Sequence, residues 1–277
     1  SRGCPYECTY CNRPYRTYRS YTNERILSEM DYFYKQGIRE FVFFDDMFNI
    51  NPKRVIDISD SIIKQFPDIT WSFRGRVDQV SEDMVKKAKQ AGCRQIMFGV
   101  EAAKDEDLKA IKKKINTQQV INAIKICRKL GLETSTNWII GLPTHKTRQD
   151  IIDLLNFAIK TGTDYAQFNI LIPYAETEIF NDGVERRVLP QNFWNEYVLN
   201  PTPNAYIPIW EEHLSREELS ALLKICYHKF YLRPSNIVKN ILKIKSFSHF
   251  KTKFKGMLTV LGFGGFKREK AQKEQPA

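Results

Sequence analysis

The sequence predicts an α/β fold, a partial (β/α)6 TIM-like barrel with parallel strands, followed by a C-terminal extension that is mainly helical. Two observations support this prediction. Segments with helical apolar spacing alternate with short β-rich runs five times, an order that gives right-handed crossovers and a parallel sheet. The runs at 41–44 and 169–172 are apolar almost throughout, as strands covered on both faces are. The first strand of the barrel is truncated and is expected upstream of Ser1.

Each element is predicted from local signals, in helix-then-strand order. In four units a glycine follows the helix, at the point where a left-handed C-terminal residue is needed. A fifth helix begins at Asn51 and Pro52, ends near Phe66 and leads into a strand at 69–73. A doubly wound open sheet gives the same local signals and is the alternative architecture. The helix, glycine and strand of the four units are 26–36, Gly37 and 41–44; 84–91, Gly92 and 96–100; 120–130, Gly131 and 134–140; and 151–161, Gly162 and 165–172.

Two regions are predicted along the chain. Residues 1–190 form the core barrel, and residues 191–277 form a basic, helical extension. Residues 190–208 are rich in Pro, Asn and aromatic residues, and we expect an irregular connection there. The polar residues 267–277 are expected to be disordered.

One helix is predicted within the extension. Ser215 and Glu218 have the spacing of a capping box for a helix over 217–231. Arg233 and Pro234 end that helix, because proline cannot continue it. A basic, partly amphipathic stretch then follows to about residue 263.

The net charge of +11 is concentrated in the tail. From Arg233 onward, eleven Lys and Arg stand against two Glu, a net charge of +9, so the preceding residues carry about +2. The main body therefore lacks the phosphate attraction of nucleic-acid-binding proteins, and nucleic acid is not expected as a partner. Residues 240–258 mix apolar and cationic side chains as interfacial helices do. This mixture predicts peripheral contact with the inner face of the membrane.

Composition and hydropathy favour a cytoplasmic globular protein. With 42% hydrophobic and 27% charged residues, the chain does not have the composition of a disordered protein. No apolar run reaches the roughly 18 to 20 residues that a membrane span needs. No charged-then-apolar leader follows Ser1, so a cytoplasmic location is expected.

Three cysteines crowd into the first eleven residues. Cys4, Cys8 and Cys11 are separated by three and two residues, and three thiolates on one short loop suit an iron–sulfur cluster. Three protein ligands leave one iron of a cubane open for chemistry. Zinc is the alternative, but it requires a fourth ligand, and the four histidines are all distant in sequence. The other cysteines are predicted to be core thiols: Cys93, Cys127 and Cys226.

The cysteine loop resembles the cluster loop of radical S-adenosylmethionine (SAM) enzymes. The likeness includes Tyr10, the aromatic residue just before the third cysteine. It implies a [4Fe-4S] cluster whose open iron is chelated by SAM, and an electron donor such as flavodoxin or ferredoxin. One electron then cleaves SAM to methionine and a 5'-deoxyadenosyl radical that abstracts a substrate hydrogen. The family's fold is a partial α/β barrel.

Further resemblances fall at predicted strand ends, where barrel enzymes place their chemistry. Asp45 and Asp46 match a signature of the cobalamin-associated branch, at the position that binds the SAM amine. Arg76 belongs to an arginine-valine-aspartate pattern of the same branch. Glu101 belongs to a glycine-x-glutamate segment, whose acid lies near the ribose or methionine of SAM. A lysine about a dozen residues on, Lys113 or Lys114, would pair with the SAM carboxylate.

The fifth strand resembles the family segment that approaches the adenine. Asn137 would donate a hydrogen bond to the ribose or adenine, and Gly141 would allow close backbone approach. After the sixth strand, residues 175–177 read Ala-Glu-Thr where the branch usually shows proline-glycine-threonine. Residues 230–234 also match relatives of the anaerobic magnesium-protoporphyrin monomethyl ester oxidative cyclase. Those relatives carry an N-terminal cobalamin-binding domain, expected upstream of this sequence, so cobalamin is a further possible cofactor.

The leading prediction is therefore a radical SAM enzyme that performs methyl transfer or oxidative cyclisation on a small or lipid-like substrate. A tRNA methylthiotransferase shares the cluster loop and is one alternative, although it should carry a C-terminal β-rich RNA-binding module. A non-enzymatic module that docks on lipid or nucleic acid, with a structural cluster, is the other.

Overall fold

The computed structural model describes residues 1–12, 17–202, 206–242, 251 and 255–256. Five parallel strands form one sheet, and their spatial order is their order in the chain. A doubly wound sheet reverses direction at a switch point, whereas a barrel adds each strand beside the last. The predicted α/β barrel architecture is therefore confirmed, and the doubly wound alternative is wrong. The strands are β1 (Glu40–Phe43), β2 (Thr70–Gly75), β3 (Cys93–Glu101), β4 (Glu133–Ile140) and β5 (Tyr165–Ile170).

Helices connect and follow the strands. All four glycines predicted to end helices adopt left-handed φ angles, between 68° and 89°. Asn51 caps the second helix, because its side chain accepts hydrogen bonds from the amides of Lys53 and Arg54. The helices are α1 (Asn23–Lys35), α2 (Pro52–Gln65), α3 (Glu82–Gln90), α4 (Asp105–Ala110), α5 (Thr117–Lys129), α6 (Arg148–Thr161), α7 (Glu178–Glu185), α8 (Phe193–Leu199), α9 (Arg216–Tyr231) and α10 (Pro234–Leu242), with a 3-10 turn at Val77–Gln79.

The core lies between the sheet and its helices. Trp71 and Phe73 on β2 stack at 5.6 Å between ring centroids, and Phe48 packs on both. Trp138 on β4 meets Phe157 of α6 edge to face. The three cysteines predicted to be core thiols are buried, and burial raises the pKa of each: Cys93, Cys127 and Cys226. This packing holds the strand ends that carry the candidate site.

Three short helices were not predicted: α4, α7 and α8. The segment expected to be an irregular connection, 190–208, contains α8. At seven residues, α8 is shorter than the window over which apolar periodicity identifies a helix, and none of its residues is buried. Instead its rings pack on each other and on the loop after β5, with Trp194 stacked on Tyr174 at 5.6 Å.

The C-terminal extension is helical where it is described. Ser215 and Glu218 form the predicted capping box, α9 ends at Tyr231, and α10 begins at Pro234. Between β5 and residue 242, the described residues form helices and no strand, unlike the β-rich module expected of a tRNA methylthiotransferase. The chain's contacts divide it into two compact units, Ser1–Leu223 and Lys224–Ala277.

Parts of the tail prediction lie outside the described residues. These are residues 267–277, expected to be disordered, and most of the basic stretch that follows α10. Across the part of the chain that the structure does describe, no helix has the length and apolarity that crossing a membrane requires.

Candidate active site

The three cysteines of the first loop lie at the carboxyl ends of the strands. Cys4 and Cys8 are half-buried, Cys11 is exposed, and all three carry thiols rather than disulfides. Among the described residues, no three His, Cys, Asp or Glu side chains gather as the ligands of one metal ion do. A cubane binds each thiolate through a different iron, so its ligands surround it instead of converging on a point. Three thiols are enough for such a cluster with one open iron, whereas a structural zinc ion needs four ligands.

Backbone hydrogen bonds fix the cysteine loop to the barrel. The amide of Thr9 donates to the carbonyl of Ile111 at 3.1 Å, and its carbonyl accepts from the amide of Ile179 at 3.1 Å. The side-chain amide of Asn12 donates to the carbonyl of Ala175 at 2.9 Å. The loop is therefore attached to the turn that follows α4 and to the segment after β5.

The two acidic residues after β1 contact the start of the same loop. The Asp46 carboxylate accepts a hydrogen bond from the amide of Gly3 at 3.1 Å. Asp45 accepts one from the Ser1 hydroxyl. The sequence predicted these carboxylates near the SAM amine, and the structure places them beside the cysteine loop, with Asp46 holding its backbone.

A buried ion pair lies next to the third cysteine. The Lys113 ammonium is 3.2 Å from the Glu101 carboxylate and donates to the Tyr10 hydroxyl at 3.1 Å. Lys113 and Glu101 are each 8% exposed. Burial, followed by the charge of Glu101, raises the pKa of Tyr10 well above its usual value. Of the two candidate lysines, only Lys113 reaches this site, because the side chain of Lys114 is exposed.

Gly99 makes room for this ion pair. A Cβ atom at Gly99 would lie 2.5 Å from an oxygen of Glu101 and 3.0 Å from the nitrogen of Lys113. Glu101 also adopts a left-handed φ of 80°, at an irregularity in the register of β3 and β4. The glycine of the glycine-x-glutamate segment is therefore required by the close approach of charged side chains.

Two further predicted residues lie on β4 and just after it. Asn137 is half-buried, and its in-register neighbours are Gly99 on β3 and Gln167 on β5. Gly141 has a left-handed φ of 76°, and a Cβ there would lie 3.1 Å from the side chain of Leu219. The space beside Gly141 is thus bounded by a leucine of α9, and the approach of the adenine to Gly141 stays a prediction.

The turn after Gly141 is held by a buried histidine. His145 is 3% exposed, and its Nδ1 accepts a hydrogen bond from the amide of Leu142 at 3.3 Å. Its Nε2 lies 3.9 Å from the carboxylate of Asp107 on α4. Burial lowers the pKa of His145, and the nearby Asp107 opposes that effect. The neutral imidazole therefore supports the backbone of this turn.

The loop after β5 keeps its turn despite a sequence that departs from the branch. Glu176, at the position where glycine is usual, adopts a left-handed φ of 61°. Thr177 caps α7 by accepting from the amide of Phe180 at 3.2 Å, and its hydroxyl donates to the carbonyl of Tyr174 at 2.6 Å. The threonine of the usual pattern therefore performs its capping role here.

Arg76, another predicted cofactor-binding residue, bonds groups of the protein itself. It is 7% exposed, and its guanidinium pairs with Asp78 and bonds backbone carbonyls of the protein. Sequence reasoning missed its supports. Asn49, fully buried, accepts from the amide of Arg76 at 2.8 Å and donates to its carbonyl at 3.0 Å. The available signal was Asn49 itself, a polar residue soon after an apolar strand.

The barrel carries three thiols and a buried ion pair at the ends of its parallel strands. This arrangement is that of an enzyme that can hold an iron–sulfur cluster beside a small charged cofactor. The sequence pattern of the radical SAM superfamily matches residues 1–158. The chain belongs to this superfamily, whose members use a [4Fe-4S] cluster and SAM. The prediction of a radical SAM enzyme is confirmed, which sets aside the non-enzymatic alternative.

Similar proteins include methyltransferases and cyclases. The chain is 35% identical to an uncharacterized methyltransferase of Pyrococcus horikoshii, over 94% of this chain and 56% of the relative. It is 26% identical to the anaerobic magnesium-protoporphyrin IX monomethyl ester cyclase of Cereibacter sphaeroides, over 85% and 38%. Its fold is similar to that of the radical SAM methyltransferase TsrM from Kitasatospora setae, solved with cobalamin and a [4Fe-4S] cluster. The TM-score is 0.61 at 17% identity, over 66% of this chain and 35% of that one. The chain thus spans about half or less of the length of these proteins.

Proposed function

We propose that this chain is the radical SAM core of a cobalamin-associated enzyme that performs methyl transfer or oxidative cyclisation on a small or lipid-like molecule. The observation that carries the proposal is the Glu101–Lys113 ion pair, which lies beside the three-cysteine loop and contacts it through Tyr10. Methyltransferases and cyclases among the similar proteins support both reaction types.

The residues divide between the cluster and SAM. Cys4, Cys8 and Cys11 would hold a [4Fe-4S] cluster, which with SAM supplies a 5'-deoxyadenosyl radical. Glu101 presents a carboxylate to the amine or ribose of SAM, and Lys113 presents an ammonium to its carboxylate.

The remaining predicted residues surround these two. Asp45 and Asp46 hold the start of the cysteine loop and add negative charge near the SAM amine. Asn137 offers an amide toward the ribose or adenine from β4. Gly141 gives the turn after β4 its left-handed shape, and approach of the adenine would require the Leu219 side chain to move.

Two further components are part of the proposal. An electron donor such as flavodoxin or ferredoxin would reduce the cluster, and the exposure of Cys11 would let a donor approach it. Cobalamin would act as methyl carrier or electron carrier in the reaction, as the branch resemblance implies.

The test is anaerobic reconstitution of the chain with iron and sulfide, followed by reduction in the presence of SAM. We expect iron–sulfur absorbance, four irons per chain within error of about one, and release of 5'-deoxyadenosine, because three thiolates leave one iron for SAM. The triple variant C4A/C8A/C11A should lose all three properties. Cys127→Ala, which changes a buried thiol of α5, should keep them. Absence of cluster absorbance from the reconstituted wild-type chain would overturn the proposal.

The proposed membrane contact concerns α10 and the basic tail. The sequence around α10 is cationic. Four apolar side chains of α10 are exposed: Ile237, Val238, Ile241 and Leu242, at 38%, 55%, 59% and 80%. An apolar face beside cationic residues suits a membrane that contains anionic lipid. The test is co-sedimentation with phosphatidylglycerol vesicles. The variant I237D/I241D should bind at least about tenfold less, because charged residues would enter the interface.

The matched control for that experiment changes exposed residues elsewhere. Val198 and Leu199 on α8 are 74% and 77% exposed, and V198D/L199D should bind vesicles like the wild type. Equal binding of all three proteins, or equal binding to neutral vesicles, would contradict a membrane contact through α10.

A further inference from the structure

We infer that Arg76 is a positioning residue that joins the cysteine loop to the turn carrying Lys113, rather than a ligand of SAM. The inference rests on the proposed function, because it concerns how the two sides of the proposed SAM site are held together. Arg76 follows β2 and is 7% exposed, so its contacts lie inside the protein.

On one side, the guanidinium of Arg76 contacts the cysteine loop. Its central carbon lies 3.6 Å from the centroid of the Tyr6 ring, the separation of a close cation–π stack. Tyr6 stands midway between the first two cysteines, Cys4 and Cys8. The position of this ring therefore affects how both thiols are presented.

On the other side, the same guanidinium bonds the turn that follows α4. One terminal nitrogen donates to the carbonyl of Lys113 at 2.9 Å and to the carbonyl of Lys114 at 3.2 Å. Lys112 and Lys114 both have left-handed φ angles, 52° and 55°. Non-glycine residues rarely adopt this conformation unless surrounding contacts stabilise it. Arg76 supplies two such contacts, one on each side of Lys114, and the first is to the carbonyl of Lys113 itself.

Asp78 and Asn49 hold Arg76 itself. The Asp78 carboxylate accepts from Nε at 2.9 Å and, at 3.2 Å, from the same terminal nitrogen that bonds the two carbonyls, so three acceptors share its two N–H groups. This two-point pairing fixes the plane of the guanidinium. Asn49 accepts from the backbone amide of Arg76. With its plane fixed, the guanidinium can stack on Tyr6 with its face while it bonds carbonyls with its edge. A lysine ammonium has neither the plane nor the fork of donors.

The chain contains a control for this arrangement. Arg39 makes the same kinds of contact away from the cysteine loop, but at the surface, with its side chain 42% exposed and one bond to its carboxylate partner. Its Nε pairs with Asp68 at 2.7 Å, a terminal nitrogen bonds the carbonyls of Tyr34 and Ile38, and its guanidinium lies 3.9 Å from the Tyr34 ring centroid. Arg39→Lys thus removes the same kinds of interaction without touching the proposed site.

The first measurement is hydrogen–deuterium exchange of the cluster-free chain. Arg76→Lys should speed exchange of the amides at 111–115 by about tenfold, because a hydrogen bond from a charged donor is lost. Arg39→Lys should leave these amides unchanged. Unchanged exchange at 111–115 in Arg76→Lys would overturn the inference. If Arg76→Lys does not fold, the same exchange measurement is made on Asp78→Asn, which only weakens the pairing of Asp78 with the Arg76 guanidinium. Faster exchange at 111–115 is expected there too, and unchanged exchange would overturn the inference.

The second measurement is SAM binding by the reconstituted chain, followed by the change that SAM causes in the EPR signal of the reduced cluster. Arg76→Lys should keep its iron content, bind SAM about tenfold more weakly and show an altered SAM-induced EPR change. Arg39→Lys should match the wild type in all three. SAM affinity and EPR equal to wild type in Arg76→Lys would also overturn the inference. A wild-type chain that binds no cluster would instead defeat the proposed function, and the exchange experiment would still report on Arg76.

Discussion

Lys113 and Glu101 form a buried ion pair, although Glu101 ends strand β3 and Lys113 lies in the turn after α4. Their charged atoms are 3.2 Å apart, and their side chains are 9% and 11% exposed. Each charge is the main compensation for the other, because water has little access to either. In the proposed function, the charged groups at the methionine end of SAM would take over part of this compensation.

Removal of one partner should therefore destabilise the cluster-free chain. We expect Lys113→Met and Glu101→Gln each to lower the free energy of unfolding by about 3 kcal/mol, because the remaining charge stays buried without its partner. Urea denaturation of the cluster-free proteins measures this change. The double variant should cost less than the sum of the two, and strict additivity would show that the two charges do not interact.

Gly99→Ala should displace the Glu101–Lys113 ion pair. The added methyl group would lie 2.5 Å from Glu101 and 3.0 Å from Lys113, closer than atoms in contact can be, so the pair must move. We expect weaker SAM binding by at least about tenfold, since a misplacement of about 1 Å at a site has large effects. Isothermal titration of the reconstituted protein measures the affinity. Gly131→Ala, which strains a left-handed helix end but brings no atoms near its Cβ, is a control for loss of stability alone, and it should not change SAM affinity.

Glu176→Gly should stabilise the loop after β5. Glu176 has a φ of 61°, a conformation that costs a residue with a side chain about 1–2 kcal/mol and costs glycine little. After the larger backbone entropy of glycine in the unfolded chain is allowed for, we expect a gain of about 0.5 kcal/mol. Urea denaturation checks the sign. Glu176→Ala is the matched control, since alanine keeps the Cβ, and stabilisation by both variants would point to charge rather than backbone strain.

Stability should fall as the pH drops below about 6.5, because His145 is buried in its neutral form. The pKa of His145 is lowered in the folded chain, so as the pH falls the unfolded chain binds the proton first. Proton binding then stabilises the unfolded chain relative to the folded one. The loss from this residue at pH 5.5 relative to pH 7.5 is at most about 1.4 kcal/mol, the limit for one proton that only the unfolded chain binds. Urea denaturation at both pH values measures it. In His145→Asn, whose side chain does not titrate, the pH-dependent loss should be smaller, and an unchanged loss would contradict the assignment.

Much of the fold was predictable because its signals are local. The four glycines that end helices, the Asn51 cap and the Ser215 capping box each depend on a few neighbouring residues, and the structure has all of them. Short helices such as α8 were missed because about two turns are too few residues for a periodic apolar pattern to appear. The order of strands needed the structure, since alternation of helix and strand does not distinguish a barrel from a doubly wound sheet.

The candidate site was predictable in its residue types and less so in its contacts. The cysteine spacing and the glycine-x-glutamate segment identified Cys4, Cys8, Cys11 and Glu101 as site residues without any coordinates. Which lysine faces Glu101 depends on backbone φ angles of the turn, which the run of three lysines does not reveal. The contacts of Arg76 with Tyr6 and Lys113 join residues 70 and 37 positions apart in the chain, beyond the reach of local patterns.

The sheet, whose strands lie side by side in chain order, gives the protein a simple course of assembly during synthesis. Each new helix–strand unit finds its partner already emerged from the ribosome, so the barrel can grow by one unit at a time. The cysteine loop does not follow this course. Its hydrogen bond to Ile179 can form only after all five strands have been translated. This loop precedes the five strands in the chain but is fixed in place after them, so metal loading has to wait for the sheet.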